Sequence, residues 1–363
     1  MKTEYRAFQF SLLALAPIHI GNGEKYTSRE FIYENNSYYF PDMVKFYNRM
    51  MENGLGQKFE CFIQEKKSSA EENRLISFLN DNSISDRNFG GYRIIETGFE
   101  SEKNDIDSKL GTINEVAKFM RDPFGNPYIP GSSLKGAIRT ILLNTNPHWI
   151  NEEAIYKTKS FKVENMNIIL WDAKTKRKFN NLFNAIRVSD SMTLCNENLI
   201  ITQKWDLKRM KDDEPTKPIG LPLYRESLAP LTKINFKITT SSKEAGELIE
   251  NLGVQSQKFY KEYERFFLLD YPEDMIQDNI QYPIYLGAGS GVWTKTLFKL
   301  ANGILQDRYC SNTPNMDGKG VLKLTKAVVM GESQAEFAKE LIKNTESFYE
   351  MGKANFMIKE ITR

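Results

Sequence analysis

The sequence predicts an α+β fold, in which strands and helices share one core without regular alternation. Residues 8–16 and 234–238 alternate apolar with mostly different side chains, which is the period of a half-buried strand. Residues 43–51 and 243–269 place apolar side chains at helical spacing. Because these elements do not follow the strand–helix–strand rhythm of a doubly wound sheet, α+β is favoured over α/β.

The first strand carries Phe8, Phe10 and Leu12 on one face and ends at Pro17. A glycine turn is expected directly after it, at Gly21-Asn22-Gly23. A second pair of strands is expected at Phe31-Ile32-Tyr33 and Tyr38-Tyr39-Phe40, joined by a turn at Asn35-Asn36. The chain therefore begins with a run of β structure.

A helix is expected after these strands, because Asp42 is a suitable N-cap residue and Gly54 a natural end. Residues 55–112 are polar and mixed, with a short helix predicted near 71–79. We interpret the stretch 55–112 as an insertion on the core fold.

A second insertion is expected at 151–180, which is charged and weakly periodic. A long helical stretch follows at 243–269, with a break near Gly253. Strands are expected in the last part of the chain at 321–329 and 355–361. We expect these elements to form a single elaborated domain over the whole chain.

Composition sets limits on the class of protein. The chain has 363 residues, 40% of them hydrophobic, which suffices for a sizeable core. Lysine and arginine number 49 against 47 aspartates and glutamates, so the net charge of +2 does not by itself indicate a nucleic-acid binder. If RNA binds, the basic residues must be concentrated on one face.

The scarcity of cysteine and histidine argues against metal chemistry. Cys61, Cys195 and Cys310 are widely spaced and form no C-x-x-C pair, which excludes a zinc knuckle and a disulfide framework. With only His19 and His148, a site of several histidines cannot be built. We therefore expect no metal and no cofactor, and acid–base catalysis by paired histidines has little material.

Targeting signals are missing from the sequence. The N-terminus lacks the apolar core of a signal peptide, and no stretch approaches the ~20 apolar residues that span a bilayer. The odd number of cysteines fits a reducing compartment. We expect a soluble, cytoplasmic protein with no membrane partner.

Three glycine-rich segments have residue types that bind anions. The first of them is 124–139. Pro130-Gly131 forms a turn, and Ser132 or Ser133 is expected to cap the helix that follows. A helix N-terminus with hydroxyls and cations one turn apart is a competent anion site. The candidate residues are Ser132, Ser133, Lys135, Gly136 and Arg139. The alternative is a well-capped surface helix with no ligand.

The second segment is 285–296, where glycines occupy alternate positions. Backbone N–H groups in such a loop can converge on an oxyanion, with an aromatic ring and a cation beside them. The candidate residues are Gly287, Gly289, Ser290, Gly291, Trp293 and Lys295. The spacing matches neither a Walker A loop nor a dinucleotide fingerprint, which makes a nucleotide-binding enzyme remote. A mobile hairpin loop is the alternative.

The third segment closes the first strand and comprises His19, Gly21, Asn22 and Gly23. His19 can stack on a base or act as a general base, although a lone histidine at a strand end is more often only hydrogen-bonded. Asp190, flanked by hydroxyls, could serve a metal or catalysis, but an Asx-type turn is the favoured interpretation.

Several segments in a characteristic order resemble one known family. The three glycine-rich segments together resemble the RAMP superfamily of CRISPR–Cas proteins. With the segments 187–191, 224–232 and 349–352 added, the chain is similar to the family of fifth Csm subunits of type III-A effector complexes. The resemblance covers most of the chain outside 55–112 and 151–180. It rests on the segments 19–23, 130–139, 187–191, 224–232, 285–296 and 349–352.

The resemblance implies both a fold and a role. The fold would be a ferredoxin-like, RRM-like RAMP core with large insertions. The role would be a non-catalytic crRNA-binding subunit that caps the 3′-end side of a Csm complex and takes part in crRNA maturation and antiviral defence. Implied partners are crRNA, the backbone and small Csm subunits, and host nucleases recruited for maturation.

Elementary recognition physics agrees with this role, because a guide of arbitrary sequence must be held by its phosphates and sugars. Glycine-loop amides, hydroxyls and cations do this without reading bases. The competing hypothesis is an endoribonuclease that processes crRNA or target RNA and uses His19 or Asp190. It rests on fold analogy alone.

Overall fold

The computed structural model describes residues 4–34, 37–65, 69, 72–95, 113–146, 180–210, 216–276, 281–291, 293–295, 321–327 and 348–361. The strands are β1 (Arg6–Ala14), β2 (Gly21–Thr27), β3 (Ile32–Glu34), β4 (Ser37–Phe40), β5 (Tyr92–Ile95), β6 (Glu115–Phe119), β7 (Ile186–Val188), β8 (Leu199–Lys208), β9 (Ile219–Leu228), β10 (Lys233–Thr240), β11 (Pro283–Tyr285), β12 (Val321–Lys326), β13 (Phe348–Glu350) and β14 (Lys353–Glu360). The helices are α1 (Met43–Glu52), α2 (Gly56–Gln64), α3 (Leu75–Asp81), α4 (Gly131–Thr145), α5 (Lys243–Glu250) and α6 (Leu252–Phe266). The predicted mixture of helix and sheet is confirmed.

The central sheet has the order β11-β14-β1-β10-β7, and every pairing in it is antiparallel. Phe10 of β1 lies opposite Phe236 of β10 and Ile358 of β14. Helix α4 lies in sequence between β1 and β7, and helix α6 between β10 and β14. These two helices pack against each other and against strands of the sheet.

One face of the central sheet forms the main core. The strict alternation of β1 buries Phe8, Phe10 and Leu12, and Phe10 stacks on Phe356 with ring centroids 4.9 Å apart. Leu134 of α4 belongs to the same buried cluster. Each such side chain contributes about 1.5–3 kcal/mol on burial, so the strand period read from the sequence is the dominant folding signal here.

The second sheet has the order β13-β12-β8-β9-β6-β2. The predicted turn at Gly21-Asn22-Gly23 is wrong, because these residues begin β2 and Gly21 pairs with Phe119. A register irregularity between Gly21 and Lys25 absorbs the glycines within the strand. The chain therefore passes directly from the central sheet into the second sheet.

A separate small core lies under the three-stranded sheet β3-β4-β5. Phe46, Phe59, Phe62 and Phe78 of α1, α2 and α3 are buried together. In its described part, the stretch 55–112 contributes buried aromatic side chains and a helix that was not expected, α2, besides the short helix expected near 71–79. Helix α2 escaped prediction because Leu55, which precedes it, provides no side-chain cap.

Several local predictions are confirmed. Asp42 caps α1 through its side chain, the strands at 31–33 and 38–40 form the expected hairpin, and the stretch from 243 breaks at Asn251 between α5 and α6. The expected helix near 71–79 is α3, and the insertion at 151–180 lies almost wholly outside the described residues. None of the described helices is both long and apolar enough to cross a membrane.

Candidate nucleic-acid interface

The three glycine-rich segments line one cleft of about 460 Å³. One wall is the first two turns of α4, a second is the loop after β11, and the start of β2 closes the end. No local sequence pattern indicates this convergence, because more than a hundred residues separate each segment from the next. The lining residues are Ile20, Gly21, Ser132, Ser133, Gly136, Ala137, Thr140, Tyr285, Leu286, Gly287, Ala288, Thr294 and Lys295.

Asp190, not a serine, caps helix α4. Its Oδ1 accepts a hydrogen bond of 2.8 Å from the Gly131 amide, while the residue at the N-cap position, Pro130, provides no side-chain cap. Gly131 is required because a Cβ there would lie 2.4 Å from the backbone oxygens of Val188 and Ser189. The predicted capping by Ser132 or Ser133 is wrong, and both residues line the cleft instead.

The two cations predicted on α4 do not line the cleft. The Lys135 ammonium donates 2.7 Å to the Ile186 carbonyl and lies 4.7 Å from the centre of the Phe183 ring. Arg139 is half-buried, and burial lowers its pKa. Lys135 thus fastens α4 to β7 and is absent from the cleft lining, and its contact with RNA stays a prediction.

Backbone hydrogen bonds hold the glycine loop against the end of β1. The Ala288 amide donates 2.9 Å to the His19 carbonyl, and the Leu286 amide donates 2.9 Å to the Gly352 carbonyl. At Gly287, φ is +80°, and a Cβ would lie 2.2 Å from the His19 oxygen. Only glycine fits this position, because both the conformation and the close approach exclude a side chain.

Arg225 reaches the same loop from β9. Its guanidinium donates 3.2 Å to the Ala288 carbonyl, and a Cβ on Gly289 would lie 2.5 Å from its Nη1. Burial lowers the pKa of Arg225, which the Asp206 charge partly opposes. Arg225 does not pair with its neighbour Glu226, because adjacent residues of a strand point to opposite faces.

Lys295 brings a positive charge to the cleft. Its exposed side chain donates 2.6 Å to the Gly287 carbonyl. Partial desolvation, and secondarily the charge of Arg225, lowers the pKa of Lys295. Trp293, predicted as a stacking surface for bases, is instead buried against Phe267, with centroids 5.4 Å apart. Ser290 is also buried, and its hydroxyl donates to the Gly287 carbonyl.

His19 is buried beneath the loop and does not stack on a base. Its Nδ1 lies 2.6 Å from the Glu226 carbonyl. Burial lowers the pKa of His19 to about 4, with the Glu226 hydrogen bond opposing and the Arg225 charge adding to the shift. The imidazole is therefore neutral at pH 7 and donates from Nδ1. Of its neighbours in the third segment, Gly21 lines the cleft, while Asn22 and Gly23 are exposed on β2.

Glu226, next to Arg225 on β9, links this strand to its neighbours by hydrogen bonds. It is fully buried and accepts hydrogen bonds of 2.7 Å from the Phe119 amide, 2.5 Å from the Tyr92 hydroxyl and 3.2 Å from Arg121. This network connects β9 to β6 and to β5 of the small sheet.

Comparison with known proteins identifies the family. Residues 11–291 match the model of the RAMP superfamily. A protein described as CRISPR system Cms protein Csm5, from Streptococcus thermophilus, is 61% identical over 363 residues, which is 100% of each chain. This chain belongs to the Csm5 family of the RAMP superfamily.

Solved structures agree with the fold of this Csm5-family chain. A chain in the cryo-EM structure of a Csm–crRNA–target RNA ternary complex of a type III-A CRISPR–Cas system matches with a TM-score of 0.62 at 15% identity, covering 96% of this chain and 100% of that one. The crystal structure of T. onnurineus Csm5 matches with a TM-score of 0.56 at 17% identity, covering 95% and 99%.

The cleft of the Csm5-family chain has the elements that hold an oxyanion. Hydroxyls of Ser132 and Ser133 line it at the positive end of α4, and Lys295 faces them across the opening. The Asp190 carboxylate offsets part of the helix dipole at this end of α4. His19 and Asp190, the two residues considered for catalysis, are occupied by a buried hydrogen bond and a helix cap.

Proposed function

We propose that this chain is a non-catalytic crRNA-binding subunit of a type III-A Csm effector complex, seated at the 3′-end side of the guide. The observation that carries the proposal is the convergence of α4 and the glycine loop on one cleft. Hydroxyls, a helix N-terminus and Lys295 grip phosphates and leave bases unread. This is what a guide of variable sequence requires.

We also propose that the core of the chain is ferredoxin-like. The four strands β14, β1, β10 and β7 lie in this order, are antiparallel, and enclose α4 and α6 in the connections β1–β7 and β10–β14. This order supports a ferredoxin-like βαββαβ core within a single elaborated domain. In such a core, the cleft lies at the N-terminal end of α4, and the three-stranded sheet β3-β4-β5 is an insertion.

The partners follow from the family. We expect crRNA and the backbone and small Csm subunits as neighbours, within the cytoplasm, in a complex that serves antiviral defence. Participation in crRNA maturation through host nucleases stays a prediction. The positions of His19 and Asp190 in the fold support the non-catalytic assignment over the endoribonuclease alternative.

The test is to measure guide RNA in purified effector complexes that contain a cleft variant. Replacing Ser132 and Ser133 by alanine and Lys295 by methionine removes two hydroxyls and one cation that line the cleft. Lys45→Met, on an exposed lysine of α1, is the matched control. We expect less RNA per complex for the cleft variant alone. Unchanged RNA length and occupancy in a complex that retains this subunit would refute the assignment.

A further inference from the structure

A cluster of cations lies on the second sheet, beside the glycine loop. The Lys323 ammonium is 3.0 Å from both carboxylate oxygens of Asp206, and the Lys204 ammonium is 3.5 Å from one of them. Arg225 and Lys295 donate to carbonyls of the loop itself. Among the described residues, three of these cations, Lys204, Lys323 and Arg225, are grouped around the single carboxylate of Asp206.

Strand register places the cluster on one face. Lys323 of β12 lies opposite Asp206 of β8, and Lys204 is two residues before Asp206. Arg225 of β9 lies opposite Thr202, which is two residues before Lys204. Because side chains of a strand alternate between faces, these residues all project to the same side.

The cluster carries more positive charge than the Asp206 carboxylate neutralises. The side chains of Lys204 and Lys323 are each only 16% exposed, and such lysines are seldom buried unless paired. Burial, and then the charge of Lys323, lowers the pKa of Lys204. One carboxylate cannot neutralise two ammonium groups and the nearby guanidinium. Like charges held together in this way favour a polyanionic ligand.

The glycine loop has residues beside the cleft and residues beside the cluster. Gly287 lines the cleft, and Gly289 contacts Arg225. A Cβ on Gly291 would meet only the Lys323 side chain, at 3.7 Å. A chain of phosphates crossing this loop therefore meets backbone, and beyond it the cations of the second sheet.

We propose that Lys204, Lys323 and Arg225 form a second phosphate subsite, which neutralises the backbone of a single-stranded RNA after it crosses the glycine loop from the cleft. The inference rests on the proposed RNA-binding function and extends it by a defined path. Continuity with the cleft favours RNA over an acidic protein surface as the occupant.

The first test removes one cation from the cluster. Lys204→Met leaves Asp206 paired with Lys323 and keeps the aliphatic length of the side chain. The affinity of the full chain for a labelled single-stranded oligouridylate is measured over a series of salt concentrations. We expect the slope of log affinity against log salt to fall by about 0.7, the contribution of one neutralised phosphate on a single strand. Lys45→Met, paired with Asp42 on α1, should leave the slope unchanged.

The second test removes the charge of the carboxylate, and the expected change in RNA affinity is an increase. Asp206→Asn removes the negative charge from the cluster, so RNA should bind more tightly, by roughly threefold for one unit charge about 6 Å from a phosphate in a water-like dielectric. A purely structural ion pair predicts no gain. Asp270→Asn, which breaks the Arg209–Asp270 pair of 3.0 Å, is the control and should not tighten binding.

The outcomes separate the two claims. If the cleft variant loses RNA while Lys204→Met and Asp206→Asn bind with wild-type affinity and slope, only the second subsite is refuted. The same result combined with loss of binding to another Csm subunit assigns the cluster to a protein partner and also refutes it. If the wild-type chain binds no RNA in solution or in the complex, both proposals are overturned.

Discussion

Gly136→Glu separates the stability of α4 from its binding role. Gly136 is exposed in the second turn of the helix, and a Cβ there would meet nothing within 4 Å. Glycine is about 0.5 kcal/mol less favourable than glutamate inside a helix, so the variant should unfold at a slightly higher temperature. A substitution that is harmless to the fold therefore places a carboxylate in the cleft.

The cost to RNA binding follows from Coulomb's law. A carboxylate about 6 Å from a phosphate repels it by ~0.7 kcal/mol in water and by about 2.8 kcal/mol at an effective dielectric of 20. The cleft is open on one side, so we expect an intermediate value of about 1–2 kcal/mol, or roughly 5- to 30-fold weaker binding.

The assay is fluorescence anisotropy with a labelled single-stranded RNA, alongside a thermal melt. Gly136→Gln is the matched control, because it has the same size and a similar helix propensity but no charge. Glu should weaken binding more than Gln does, and the difference should shrink at high salt. If the Glu variant binds as tightly as wild type while its melting temperature rises, phosphates do not approach this face of α4.

Three further predictions concern the supports of the cleft. Burial lowers the pKa of His19 to about 4, below its ordinary value, so the unfolded chain binds a proton that the folded chain does not, and stability is lost as pH falls from 6.5 toward 4. The free energy of unfolding should therefore drop by about 2 kcal/mol between pH 7 and pH 5. Urea titrations of His19→Gln should lack this pH-dependent component. Gly287→Ala should cost about 2 kcal/mol or more in the same titrations, because a Cβ would lie 2.2 Å from the His19 oxygen at φ +80°; a neutral effect would contradict the tight seating of the loop. Glu226→Gln should cost about 3 kcal/mol, because Arg121 loses its buried partner, and a melt unchanged from wild type would show that this network is not structural.

The sequence was most informative where one physical signal dominated. Strand β1 was predictable because Phe8, Phe10 and Leu12 alternate, and α1 because Asp42 caps it. Helix α2 was not, because Leu55 gives no start signal. At Gly21 the glycine pattern indicated a turn, but pairing with β6 and a register irregularity stabilised a strand instead.

The three glycine-rich segments of the site could be found in the sequence, but their relative positions could not be predicted from it. Glycines that need positive φ, such as Gly287 and Gly289, are visible in a sequence. The cap supplied by Asp190 and the approach of Arg225 depend on tertiary contacts that no local pattern encodes. Trp293 was misassigned for the same reason, because only the fold reveals that Phe267 covers its ring.

The most direct measurement is a cryo-EM map of an effector complex assembled with this chain and a guide RNA, at a resolution that places phosphates. We expect RNA phosphates within about 3 Å of hydrogen-bond donors at Ser132, Ser133 or the loop 287–291, with bases turned away from the cleft. A guide that passes over another surface and leaves this cleft empty, or filled by a neighbouring protein, would contradict it.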